Sequence, residues 1–155
     1  MISSGLLSHL GLAKTPELSA LRSVPAERLP RWAMAKRLLP SLDLTALRLE
    51  KRAVRLCEAA AQIHFSTIPE CRQAIAAHGW EAVQLAAALC AQQETVQHVA
   101  ASGDCVTLAQ LAVKGSDLPW LQGPAVSAAL QQLLDHVLEH PEDNQKELLL
   151  SLLKQ

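Results

Sequence analysis

From Val126 the apolar residues of this chain recur three and four places apart, at Leu130, Leu133, Leu134, Val137 and Leu138. That spacing puts them on one face of a helix and excludes a strand, whose faces alternate at every second residue. Gly123-Pro124 stands just ahead, and proline suits the first turn of a helix because its missing N–H is not needed there. Upstream, Trp80 to Ala91 is Ala-rich and apolar on three sides, the pattern of a helix enclosed by others. Two such segments commit the chain to packing helix on helix. Aromatics make up only 3 % of the residues and Tyr is absent, so little in the chain favours sheet over helix.

The remaining signals divide the chain into further short helices. Thr15-Pro16-Glu17 is a cap followed by proline, so a helix runs from there to about Ser23, after a short one within Met1 to Ala13. Trp32, Ala35, Leu38 and Leu39 form an apolar stripe that ends at Pro40. A basic helix is expected from about Glu50 to Ile63, with Val54, Cys57 and Ala61 inward and Lys51, Arg52 and Arg55 outward. Pro69 opens a helix that Gly79 stops, and Glu94 to Ala101 ends at Ser102-Gly103-Asp104. Near the end, Asn144 followed three places later by Glu147 reads as an N-cap with its capping-box carboxylate. Gly115 reads as a turn residue needing a conformation other residues avoid, with Asp117 bonding nearby N–H groups. The expected fold is all-α, an array of about seven to nine short helices. It divides into a region 1–105 and a region 106–155, or forms one continuous domain.

Cys57, Cys71, Cys90 and Cys105 lie 14, 19 and 15 residues apart without a C-x-x-C pair, which reads as reduced core thiols and no metal site. No apolar run approaches the roughly 18 to 20 residues that span a bilayer, and Met1 to Leu12 lacks the basic start of a secretory signal. No membrane partner and a cytoplasmic location are the expectations. The net charge of −1 hides an asymmetry. Residues 22–55 carry nine cations against three anions, and the rest of the chain is correspondingly acidic. A segment at +6 attracts phosphates even in a neutral protein, although the same run also suits a solvated helix surface.

The order of landmarks in the last third carries a resemblance. Leu111 to Leu118 reads Leu-Ala-Val-Lys-Gly-Ser-Asp-Leu, Gly123-Pro124 opens the long helix, and Asn144 precedes Lys146-Glu147-Leu148-Leu149-Leu150. This resembles the C-terminal tail of bacterial CCA-adding tRNA nucleotidyltransferases of the poly(A) polymerase type. There a short apolar run ends in a Gly-x-Asp-Leu turn, a Gly-Pro start to a long helix follows, and an Asn precedes the last helix. Ser127 stands where the family usually has Gly. Pro16-Glu17-Leu18, Arg31-Trp32-Ala33 and the Leu47-Arg48-Leu49 step are similar to phrases of the family's helical body, without its usual order before Pro16. The likeness covers roughly residues 5 to 155 and is strongest from 108 to 150.

The resemblance implies a role in gripping the acceptor and T-arm of tRNA through phosphates, since double-stranded RNA offers side chains little else to read. Arg48, Lys51, Arg52, Arg55 and Lys114 are the candidate RNA-binding residues. Nucleotidyl transfer itself needs carboxylates that hold two metal ions. The family draws these from an Asp-x-Asp in a separate head, and no Asp-x-Asp, phosphate loop or Glu-Asp-x-x-Arg element occurs here. No catalytic residue, metal ligand or cofactor is therefore assigned to this chain. Mg²⁺ and CTP or ATP would belong to the missing head, carried either by a separate catalytic chain or by the rest of a longer protein of which this is a fragment, and no DNA partner is implied. The enzyme question stays open: the family catalyses, while this chain alone is expected to be inactive. The competing reading is a helical scaffold or protein-interaction module without an RNA role.

Overall fold

A computed structural model describes residues 20–153. Among them are eight α-helices, four short 3-10 turns and no strand, so the fold is all-α. The helix expected within Met1 to Ala13 and the start of the one at Thr15 lie outside the described residues. The chain forms two compact units, drawn from it differently from a 1–105 and 106–155 division. The first comprises Met1–His64 and Gln84–Ala91, and the second Phe65–Val83 and Gln92–Gln155.

The described part of the first unit contains α1 (Ala20–Ser23), α2 (Arg28–Leu38), a turn at Thr45–Leu47, α3 (Lys51–Gln62) and most of α5 (Trp80–Cys90). Small side chains let α2 and α3 approach closely: Ala33, Cys57 and Ala60 are fully buried. The Cys57 thiol adds a long donation, 3.7 Å, to the Leu29 carbonyl. On α3 the expected inward face holds, with Val54, Cys57 and Ala61 buried while Lys51, Arg52 and Arg55 are exposed. On α2 it does not. Pro30, Ala33 and Met34 are buried, whereas Trp32, Ala35 and Leu38 are only partly covered.

Arg37 explains the rotation of α2. It lies on the same face as Pro30 and Ala33, and its guanidinium closes the C-terminal end of α3. Nε donates to the Ala61 carbonyl at 3.1 Å, and Nη2 to Ala60 and Ile63 at 2.8 and 2.7 Å. Nη1 reaches the Cys90 sulfur at 2.8 Å. The last carbonyls of a helix have no partner within it, and a cation there also meets the negative end of the dipole. An apolar stripe on α2 could not have supplied this cap. Lys36 is drawn inward too, donating to the carbonyls of Pro40 and Leu42 at 2.8 and 2.7 Å.

The second unit holds α4 (Ile68–His78), the first turn of α5, α6 (Gln93–Ser102), α7 (Pro124–Glu139) and α8 (Lys146–Leu152). A reciprocal capping box starts α4. The Glu70 N–H donates to the Thr67 hydroxyl at 3.4 Å, and the Glu70 carboxylate accepts from the N–H groups of Ser66 and Thr67 at 2.7 and 3.2 Å. Gly79 ends it at φ 81°, in the left-handed region where a side chain would be strained. The face of α7 read from the sequence is the core face at Leu133, Leu134, Val137 and Leu138, joined by Ala129, while Val126 and Leu130 are half-covered. Arg72 ties the unit across its core. Its Nε pairs with Asp104 at 2.6 Å and its Nη1 donates to the Leu138 carbonyl at 3.0 Å, near the end of α7.

Two residues of the closing segment act differently from their local signals. Asn144 does not cap α8; Gln145 occupies that position without a side-chain capping bond. Instead the Asn144 amide bridges backward. Its Oδ1 accepts from the Ala112 N–H at 2.9 Å, and its Nδ2 donates to the Gln110 carbonyl at 3.1 Å. A paired bond to a distant backbone strand of loop outweighs a single capping bond. Gly115 is also a correction: it is not in the left-handed region, and a Cβ there would lie 3.2 Å from Val126 Cγ1. The 115–117 turn approaches α7 closely, so a side chain at Gly115 would press on Val126. Asn144→Ala should lower stability by about 1–2 kcal/mol in denaturant unfolding, the loss of one part-buried and one exposed bond. Asn144→Asp keeps an acceptor for the Ala112 N–H but loses the donor to Gln110, so it should recover only part of the loss. Full recovery by Asp would show that the Gln110 bond contributes nothing.

Candidate nucleic-acid interface

The cationic candidates are placed by a short structured approach to α3. Leu44 is fully buried and anchors the Thr45–Leu47 turn. The Asp43 carboxylate accepts from the Thr45 N–H at 2.8 Å and its hydroxyl at 2.5 Å. Those bonds hold the carboxyl below the usual Asp range, the hydroxyl first. The turn ends with Arg48 at φ 53°, exposed and left-handed, and its N–H donates to the Thr45 carbonyl at 3.1 Å. A side-chained residue held there is mildly strained, by about 1 kcal/mol. Glu50 then precedes α3 without a side-chain cap.

Lys51 and Arg52 are the first two residues of α3, and Arg55 follows one turn after Lys51. Cations in a first turn face the positive end of the helix dipole, an arrangement helices generally avoid. Local stability does not select it. Of the nine cations between residues 22 and 55, Lys36 and Arg37 donate to backbone carbonyls. Arg48, Lys51, Arg52 and Arg55 are exposed, and Arg52 has a partner of its own.

Lys114 belongs to the second unit. Its side chain is exposed, and its N–H donates to Asp117 Oδ2 at 2.9 Å, the local bond expected of that Asp. The other carboxylate oxygen accepts from Lys146 Nζ at 2.6 Å. The Lys146 bond first, then the Lys114 N–H, keeps the Asp117 carboxyl below its ordinary range. The four cysteines are free thiols, with Cys57, Cys71 and Cys105 buried and Cys90 partly exposed. Burial pushes those three thiols above their ordinary range, with Glu58 adding to the effect at Cys57. Among the described residues, no helix is long and apolar enough to cross a membrane and no cluster of His, Cys, Asp or Glu could hold a metal ion.

The depressed carboxylates of Asp43, Glu70 and Asp117 give the fold a defined acid sensitivity. A carboxyl whose folded value lies below its unfolded one binds fewer protons when folded. Its contribution is complete above the unfolded value and is lost as the pH falls through the folded one. The melting midpoint should stay level from pH 7 to about 5 and drop below about pH 4. Asp117→Asn should shrink that drop. A midpoint that falls between pH 7 and 5 would show that these carboxylates are not the source of the sensitivity.

No family model, curated protein or solved structure matches this chain.

Proposed function

We propose that this chain is a tRNA-holding, non-catalytic part of a CCA-adding nucleotidyltransferase. It would grip the acceptor and T-arm by their phosphates, while a catalytic head outside these residues supplies Mg²⁺, CTP and ATP chemistry. The observation that carries the reading is the exposed row of Lys51, Arg52 and Arg55, led into by Arg48. The sequence resemblance between residues 108 and 150 supports it independently, as does the exposed Lys114 beside the Gly-x-Asp-Leu turn. Phosphate binding of this kind releases condensed counterions, so its affinity falls linearly with salt on logarithmic axes. The test is a titration of tRNA at rising salt. Three to four neutralised phosphates give a slope of about −2 to −3.5. No binding of tRNA at low salt, or equal binding of an unrelated acidic protein, would leave a helical scaffold as the better account.

A further inference from the structure

The rotation of α2 that buries Arg37 turns another set of residues outward. Arg28, Arg31, Trp32 and Ala35 are spaced three and four apart and so share one helix face, away from Pro30 and Ala33. With Leu21 and Arg22 of α1 they line an open groove of about 510 Å³, within the range of small-ligand sites. Leu21 and Ala35 are apolar, Trp32 is partly exposed, and the arginines are exposed. Among the described residues no carboxylate or carbonyl pairs with the guanidinium groups of Arg22, Arg28 or Arg31. Three like charges around one groove repel each other, and a bound anion reverses the sign of that interaction.

The chemistry is specific in two respects. A guanidinium presents a planar fork of donors that matches phosphate oxygens. An indole face beside it accepts a flat ring by stacking, whatever the base. We propose that this groove binds a nucleotide, its phosphate held by Arg22, Arg28 and Arg31 and its base laid on Trp32. A free mononucleotide and an unpaired nucleotide within RNA share this chemistry. The groove is a separate feature from the row on α3, so the inference does not rest on the tRNA reading.

The test is calorimetric titration of the full chain at low salt with CMP, AMP, ribose 5-phosphate, inorganic phosphate, phosphoserine and a short unstructured oligoribonucleotide. CMP and AMP should saturate one site and bind about tenfold more tightly than ribose 5-phosphate, the increment expected of one stacked base. Arg28→Gln with Arg31→Gln should weaken nucleotide binding about tenfold or more. Trp32→Ala should bring CMP down to the level of ribose 5-phosphate, and Trp32→Phe should keep the difference. Should Trp32→Ala lose helicity, Arg22→Glu supplies the second reading by weakening every phosphate-bearing probe. Tighter binding of the oligonucleotide than of CMP supports the site as a receptor for an unpaired RNA nucleotide, and equal binding supports a free nucleotide. Lys51→Glu with Arg55→Glu should leave the CMP preference over ribose 5-phosphate unchanged, since the two probes carry the same charge, which separates a failure here from a failure of the tRNA reading. Inorganic phosphate or phosphoserine binding as tightly as CMP overturns the proposal. So does nucleotide binding that ignores the arginine substitutions.

Discussion

Replacing Arg37 by Ala is expected to lower the stability of the first unit by about 3 kcal/mol, a fall in melting midpoint of roughly 10 °C. The substitution strips donors from the carbonyls of Ala60, Ala61 and Ile63 at once. Each unpaired, partly buried acceptor costs about 1–3 kcal/mol, and water entering the gap recovers part of that. The loss of a cation at the negative end of α3 adds a smaller electrostatic penalty. Arg37→Lys should rescue little, because a single ammonium cannot span donors aimed at three carbonyls and a sulfur. Denaturant and thermal unfolding followed by circular dichroism measure this directly. A Lys variant as stable as the parent, or an Ala variant within about 0.5 kcal/mol of it, would show that the cap contributes nothing beyond an exposed side chain.

The second large effect is a loss of binding without a loss of fold. Lys51→Glu with Arg55→Glu should flatten the salt dependence of tRNA binding by about 1.5 to 2 units of logarithmic slope and reduce low-salt affinity at least a hundredfold. Both side chains are exposed, so packing is untouched. At the first position of α3 a Glu agrees with the helix dipole where Lys opposes it, which favours stability by a few tenths of a kcal/mol. Binding and stability should therefore move in opposite directions. A double variant that melts early, or one that binds tRNA with the parental slope, would remove α3 from the interface.

What the sequence disclosed and what it concealed follow the range of the interactions. Helix limits at Gly79, Gly103 and Pro124 were legible because the signal and its effect lie within one turn. The outward placement of Lys51, Arg52 and Arg55 was legible for the same reason, since helical phase alone sets it. Asn144 was misleading because its partners, Gln110 and Ala112, lie more than thirty residues earlier. A capping signature nearby could not reveal them. Arg37 was equally opaque: an arginine on a helix reads as solvated until the end of α3 is brought against it. The apolar stripe of Trp32, Ala35 and Leu38 therefore does not mark the buried face of α2, and the groove at Arg28, Arg31 and Trp32 cannot be seen from it.

The four thiols make the protein its own recorder of local opening. Cys57 lies in the first unit, and Cys71 and Cys105 lie in the second, all buried and all poor nucleophiles while enclosed. A disulfide reagent should modify partly exposed Cys90 promptly and then wait for breathing motions to present the others. The delay at each cysteine measures how often its surroundings part, as amide exchange does for backbone. Rates at Cys57 would register the slackening of the α2–α3 pair, and those at Cys71 and Cys105 that of the neighbouring unit. Each half thus carries an internal clock, and ligands that tighten one half should slow only the hands of that one.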